Sequence, residues 1–208
     1  MPIGRLHVIT DTRAGRDPLP VVRAALDAGA PVVQVRGKEL SDSRLYDLTC
    51  RVLELCASCG ATCLVDDRVD LAIAAGADGV HVGAEDLPVS VVRRLVPDAV
   101  VGATARDPQR ARALEREGAS YLGVGPAYAT TSKRGLPAAL GAQGVGAVAA
   151  AVAIPVIAIA GVTASLIPEL LLAGAHGVAV IGAISEAADP YAATAELLQV
   201  LEREASVV

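Results

Sequence analysis

The chain contains no phenylalanine and no tryptophan, a single methionine, and only 2% aromatic residues over 208 positions. A core without large rings must be built from small aliphatic side chains, and hydrophobic residues supply 53% of the sequence. That composition suits parallel strands buried on both faces beneath Ala-rich helices. Lysine is almost as scarce. Of eighteen basic residues only two, Lys38 and Lys133, are lysines. A net charge of −5 argues against nucleic acid or an anionic membrane as partner, so any anion site must be a local pocket.

Other signals are missing too. Met1 to Asp11 lacks a signal-peptide layout, because Pro2, Gly4, His7 and Asp11 interrupt it. Cys50, Cys56, Cys59 and Cys63 include one Cys-x-x-Cys but no second one and no nearby histidine. They read as small buried thiols rather than a zinc site, and a cytoplasmic setting is expected. No charge occurs from Gly135 to Pro168, yet Gly141, Gly144, Gly146, Pro155 and Gly161 divide that run. It reads as a buried helix (Ala139–Val152) and a buried strand (Val156–Ala160), not a membrane span.

Eight short apolar runs alternate with helix-like stretches. The predicted strands are Leu6–Thr10, Val32–Arg36, Ala61–Val65, Gly79–Val82, Val100–Ala103, Tyr121–Val124, Val156–Ala160 and Val178–Ile181. Five of the intervening helical patterns end in a Gly-Ala pair, at Gly29, Gly60, Gly76, Gly118 and Gly174. Glycine there supplies the left-handed turn that returns the chain to the sheet. Strand–helix alternation gives an α/β fold with a parallel sheet, and eight units close a (β/α)8 TIM barrel, here a single domain over residues 1–208. A doubly wound open sheet is the rival. The lack of a Gly-x-Gly-x-x-Gly after the first strand counts against dinucleotide binding.

In such a barrel the chemistry lies in the loops after the strands, and polar residues segregate there. Arg36 and Lys38 follow strand two, and Asp66-Asp67 follow strand three. Glu85-Asp86 follow strand four, and Thr104 lies beside strand five. A long loop after strand six carries Thr130, Ser132 and Lys133. Gly161 and Gly182, after strands seven and eight, each open a helix where backbone N–H groups can meet a phosphate. Asp67 and Asp86 suit Mg²⁺, which takes one or two carboxylates together with substrate phosphate oxygens. They could equally cap the helices that follow them, and Asp66 and Glu85 are competing ligands. Two cationic arms and several hydroxyls around Mg²⁺ describe a diphosphate site. The histidines, His7, His81 and His176, are not spaced as a metal cluster and read as buried and hydrogen-bonded. His7 has the option of facing the barrel interior.

Taken together, these motifs resemble the thiamine-phosphate synthase and thiazole tautomerase family. The most specific stretches are Ala77-Asp78-Gly79-Val80-His81-Val82-Gly83 followed by Glu85-Asp86-Leu87-Pro88, and Gly123-Val124-Gly125-Pro126 leading to Thr130, Ser132 and Lys133. The resemblance implies the union of a hydroxymethylpyrimidine diphosphate with a thiazole phosphate, releasing pyrophosphate. By similarity Arg36, Lys38 and Lys133 hold the diphosphate, with Asp66 beside it, Gln34 contacts the pyrimidine, and Thr104 takes the place of a family serine at the pyrophosphate. Asp67 and Asp86 ligate Mg²⁺. Thr130, Ser132, Gly161, Ile181 and Gly182 hold the thiazole phosphate. The chain departs from the family at Asp66 (usually Asn), Ala84 (usually Gln), Ala160 (usually Gly) and Gly182 (usually Ser). The tautomerase alternative needs a general base, expected as a histidine where this chain has Pro126, and it tends to lose the two aspartates. A non-catalytic thiazole-phosphate-binding regulator on the same barrel is a third reading.

Overall fold

In the computed structural model, which describes residues 3–132 and 135–205, eight parallel strands close into one barrel in sequence order. The strands are β1 (Leu6–Ile9), β2 (Val32–Val35), β3 (Thr62–Asp66), β4 (Gly79–Val82), β5 (Val100–Ala105), β6 (Tyr121–Val124), β7 (Val156–Ile159) and β8 (Gly177–Val180). Pairing of β1 with β8, Val8 beside Val180, completes the ring. The open-sheet alternative is thereby excluded.

The helices are α1 (Leu19–Asp27), α2 (Asp42–Cys59), α3 (Val69–Ala75), α4 (Val89–Leu95), α5 (Pro108–Arg116), α6 (Gly141–Ala149), α7 (Ile167–Leu172), α8 (Gly182–Ser185) and α9 (Pro190–Ala205). Their ends follow local chemistry. Ser41 and Asp107 cap α2 and α5 through their side chains, accepting from Arg44 N and Arg110 N. All five glycines of the Gly-Ala pairs have positive φ, from 72° at Gly76 to 105° at Gly174, as the sequence led us to expect. The uncharged run resolves into α6 and β7.

Alternation along the strands sorts the side chains. Val80, Val82, Val101 and Ala103 face outward into the Val- and Ala-rich layer under the helices. A separate cluster of Ile9, Val32, Leu64, Tyr121, Ile157 and Ala179 fills the barrel. Only β4 and β6 keep the bounds read from the sequence; the other strands shift by one or two residues at one or both ends, and two of these shifts bear on the site. Asp66 is the last residue of β3, paired with His81, rather than a loop residue, so its side chain points inward and is buried. The eighth strand starts one residue early and ends before Ile181, which instead leads into α8.

Candidate active site

The C-terminal ends of the strands bring most of the sequence-predicted residues to one face. Thr10, next to β1, clamps Arg36 from both sides: its hydroxyl donates to Arg36 O at 2.8 Å and accepts from Arg36 N at 2.8 Å. The Arg36 side chain reaches to 4.0 Å from Asp66. Lys38 pairs with Asp67 at 2.9 Å. These two basic residues and two aspartates thus form one group across the ends of β2 and β3.

Asp67 sits in the left-handed region at φ 64°, held there by its N–H donating to His81 O at 2.8 Å. Neither Asp67 nor Asp86 caps a helix. The N-termini of α3 and α4 have no side-chain cap, and Asp86 instead accepts from Gly83 N at 2.7 Å. The two carboxylates lie close enough to shift each other's ionisation in opposite directions. Burial and Asp67 push Asp86 up. Burial also pushes Asp67 upward, but Lys38 and Asp86 outweigh it and hold Asp67 below the usual range. Two neighbouring carboxylates whose ionisations are linked in this way are a natural place for a divalent cation, which would offset both charges. Among the described residues no cluster of three or more His, Cys, Asp or Glu is placed to hold a metal alone, so a cation here would need ligands from substrate or water.

Asp66 is different. Burial raises it to about 8, with Asp67 adding to the effect and Arg36 and Lys38 opposing it. Its Oδ1 has no hydrogen-bond partner among the described residues. With its proton kept near neutral pH, it is chemically close to the amide that the resemblance led us to expect there.

Across the mouth, the loop after β6 meets the ends of β7 and β8. A Cβ on Gly161 would lie 2.4 Å from Ala129 O, and one on Gly182 would lie 3.2 Å from Ser132 Oγ. Ser132 N donates to Thr130 Oγ1 at 3.2 Å. The hydroxyl-bearing loop after β6 therefore lies against Gly161 and Gly182 at the ends of β7 and β8. Gly161 does not open a helix as expected: a 3-10 turn (Ala164–Leu166) intervenes before α7. Gly182 does open α8. Lys133 lies outside the described residues. Tyr128 anchors this loop outward through a short hydrogen bond donated to Glu169 on α7.

Ala160, beside Gly161, has φ 76°, an arrangement that costs an L-residue about 1–2 kcal/mol. Ala160→Gly is expected to raise unfolding free energy by about 1 kcal/mol, measured by urea denaturation.

Sequence reasoning missed two groups. Asp11 is buried and pinned by Arg13 at 2.7 Å, Arg16 at 2.8 Å and Ser185 Oγ at 3.1 Å; the Arg13 hydrogen bonds hold its pKa far down. Arg13 also pairs with Glu186 at 2.9 Å, tying the β1 loop to the end of α8. The second group is a polar chain inside the barrel. Gln34 donates to Tyr121 OH at 3.0 Å and lies 2.8 Å from His7 Nδ1. His81 bridges Tyr121 OH and Thr104 Oγ1, each at 3.0 Å. Alternation along β1, β2, β4 and β6 was the available signal, since it turns His7, Gln34, His81 and Tyr121 inward.

The model of the family described as thiamine monophosphate synthase matches residues 6–184. A thiamine-phosphate synthase of Salinispora tropica is 58% identical over 96% of this chain and 98% of its own. One from Moorella thermoacetica is 42% identical over 98% of both. Among solved structures, thiamine phosphate pyrophosphorylase from Pyrococcus furiosus superposes with a TM-score of 0.88 at 36% identity, covering 96% of each chain.

Proposed function

The chain belongs to the thiamine monophosphate synthase family and is a transferase of the thiamine-phosphate synthase class, and we propose that its substrates are hydroxymethylpyrimidine diphosphate and a thiazole phosphate. The observation that carries the substrate reading is the two-sided mouth. One side gathers Arg36, Lys38, Asp67 and Asp86; the other gathers Thr130, Ser132, Gly161 and Gly182. A diphosphate and a monophosphate each have a matching wall.

The chemistry needs little from the protein beyond neutralisation and placement. The bond between the pyrimidine methylene carbon and the diphosphate oxygen breaks, and its electron pair leaves with pyrophosphate. The electron-rich aminopyrimidine stabilises the cation left behind. The thiazole nitrogen then supplies its lone pair to form the C–N bond. That nitrogen carries no proton, which accounts for a site without a general base. Arg36, Lys38 and Lys133 offset the charge of the leaving group, with Thr104 beside it. Gln34 meets the pyrimidine ring, and the neutral Asp66 borders it. Thr130 and Ser132, with backbone at Gly161, Ile181 and Gly182, fix the second phosphate.

Asp67 and Asp86 would hold Mg²⁺, whose contribution is to neutralise diphosphate charge. Their mutual effect on ionisation and the Lys38 contact with Asp67 support the assignment. A cytoplasmic location suits the phosphorylated substrates and the four free thiols. Among the described residues no helix is long and apolar enough to cross a membrane.

The direct check is pyrophosphate release by the purified protein. Release is expected only when both substrates and Mg²⁺ are supplied. Release without the thiazole phosphate, or none with all three, would overturn the substrate assignment.

A further inference from the structure

We propose that His7 is a positioning residue: it starts a directed chain of hydrogen bonds inside the barrel that turns the Gln34 carbonyl oxygen and the Thr104 hydroxyl proton toward the site.

The direction follows from a fixed end. His7 Nε2 lies 3.1 Å from Gly4 O. A carbonyl only accepts, so the Nε2 atom carries the proton. His7 is fully buried, and burial lowers its pKa to about 3, so the ring is neutral and Nδ1 is left as an acceptor. The group 2.8 Å from Nδ1 must then be the Gln34 amide nitrogen, which settles which way the amide faces. Its second N–H goes to Tyr121 OH at 3.0 Å. Both amide protons are thereby used inside the barrel. Gln34 Oε1 has no protein donor among the described residues and is not sealed off from solvent.

The same logic continues from Tyr121. Its hydroxyl has accepted a proton from Gln34 and is fully buried, so its own proton needs an acceptor. His81 Nδ1 at 3.0 Å provides it. His81 Nε2 then carries a proton and donates it to Thr104 Oγ1 at 3.0 Å. Having accepted, Thr104 is left to donate its hydroxyl proton, and no acceptor among the described residues takes it. The barrel is built around this chain. A Cβ on Gly102 would fall 2.2 Å from the Tyr121 ring, and one on Gly123 would fall 2.9 Å from His81. The His7 and Tyr121 rings meet edge-on with centroids 5.0 Å apart.

Two consequences concern selectivity, and they rest on the proposed substrates. A Gln34 that can only accept favours a ring bearing an amino group over one bearing a carbonyl in its place. A Thr104 that can only donate favours an anionic oxygen. A site built this way rejects the analogue that leaves its buried group unpaired. His7 exerts this choice without touching the ligand.

The test has two arms. The first is ¹⁵N NMR of the free protein. Both His7 and His81 are expected as the Nε2–H tautomer with unprotonated Nδ1. A proton on His7 Nδ1 would overturn the proposal. Tyr121→Phe should leave the His7 tautomer unchanged and alter that of His81, since only His81 loses its donor; an unaltered His81 counts against the chain. The second arm compares binding of the aminopyrimidine diphosphate with its oxo analogue. The parent is expected to prefer the amino ring by about 100-fold. His7→Phe, which keeps a ring against Tyr121, should reduce that preference by about tenfold or more. An unchanged preference in a folded variant would overturn the role of His7. Failure of the parent to bind either diphosphate would sink the substrate reading instead, while the tautomers would still decide the network.

Discussion

Asp67→Asn is expected to lower kcat/KM for pyrophosphate release by about 10³-fold and to abolish its dependence on Mg²⁺. The substitution isolates charge from backbone. Asp67 occupies the left-handed region, which asparagine tolerates better than other residues. Its N–H bond to His81 O does not involve the side chain. What is lost is the negative charge that Lys38 meets at 2.9 Å and that raises the neighbouring Asp86. Lys38 then loses its anchor, and Asp86 faces a neutral amide. Kinetics over a Mg²⁺ titration provide the measurement. A variant that keeps the parent's Mg²⁺ midpoint, with turnover reduced less than tenfold, would reassign Asp67 to orienting Lys38 alone. In that case Asp86→Asn should also leave the midpoint in place, because the two carboxylates would not act as one site.

The barrel was legible because its signals are local. Each Gly-Ala pair marks a helix end through a φ that other residues avoid, and each Val-rich run marks a strand buried on both sides. The two walls of the mouth were legible for a related reason: residues following a strand must lie at the same end of the barrel. Contacts across the barrel were not legible. Gln34 and Tyr121 are 87 residues apart, and Asp11 and Ser185 are 174 apart. Which inward residues meet depends on strand tilt and stagger, which alternation along one strand does not encode. Asp66 shows the same limit at a strand end. Its run of polar neighbours, Asp67 and Arg68, reads as a loop, whereas pairing with His81 extends β3 by one residue and buries the carboxyl. The helix-cap reading of Asp67 and Asp86 failed because their side chains find closer partners in Lys38, Gly83 and each other.

Asp66→Asn is expected to stabilise the metal-free protein, by an amount that grows with pH. In the unfolded chain this carboxyl ionises near 3.8, whereas burial in the folded barrel raises it to about 8. Below pH 4 both states hold the proton and folding is indifferent to pH. Between about 4 and 8 the unfolded state releases the proton while the folded state keeps it. Fewer protons on the unfolded chain mean that stability falls as pH rises through that window and levels off above it. Asparagine has no proton to lose, so the variant should lack this slope. Urea denaturation at pH 5, 6.5 and 8 should show the smallest gain at pH 5 and the largest at pH 8. A gain that is constant with pH would mean that Asp66 is ionised in the folded state. The same proton explains why an aspartate is tolerated where the family carries an amide. As a neutral acid it adds no charge beside a diphosphate at pH 7, and it retains one donor and one acceptor. Above pH 8 that equivalence ends, and the parent should lose activity that Asp66→Asn retains.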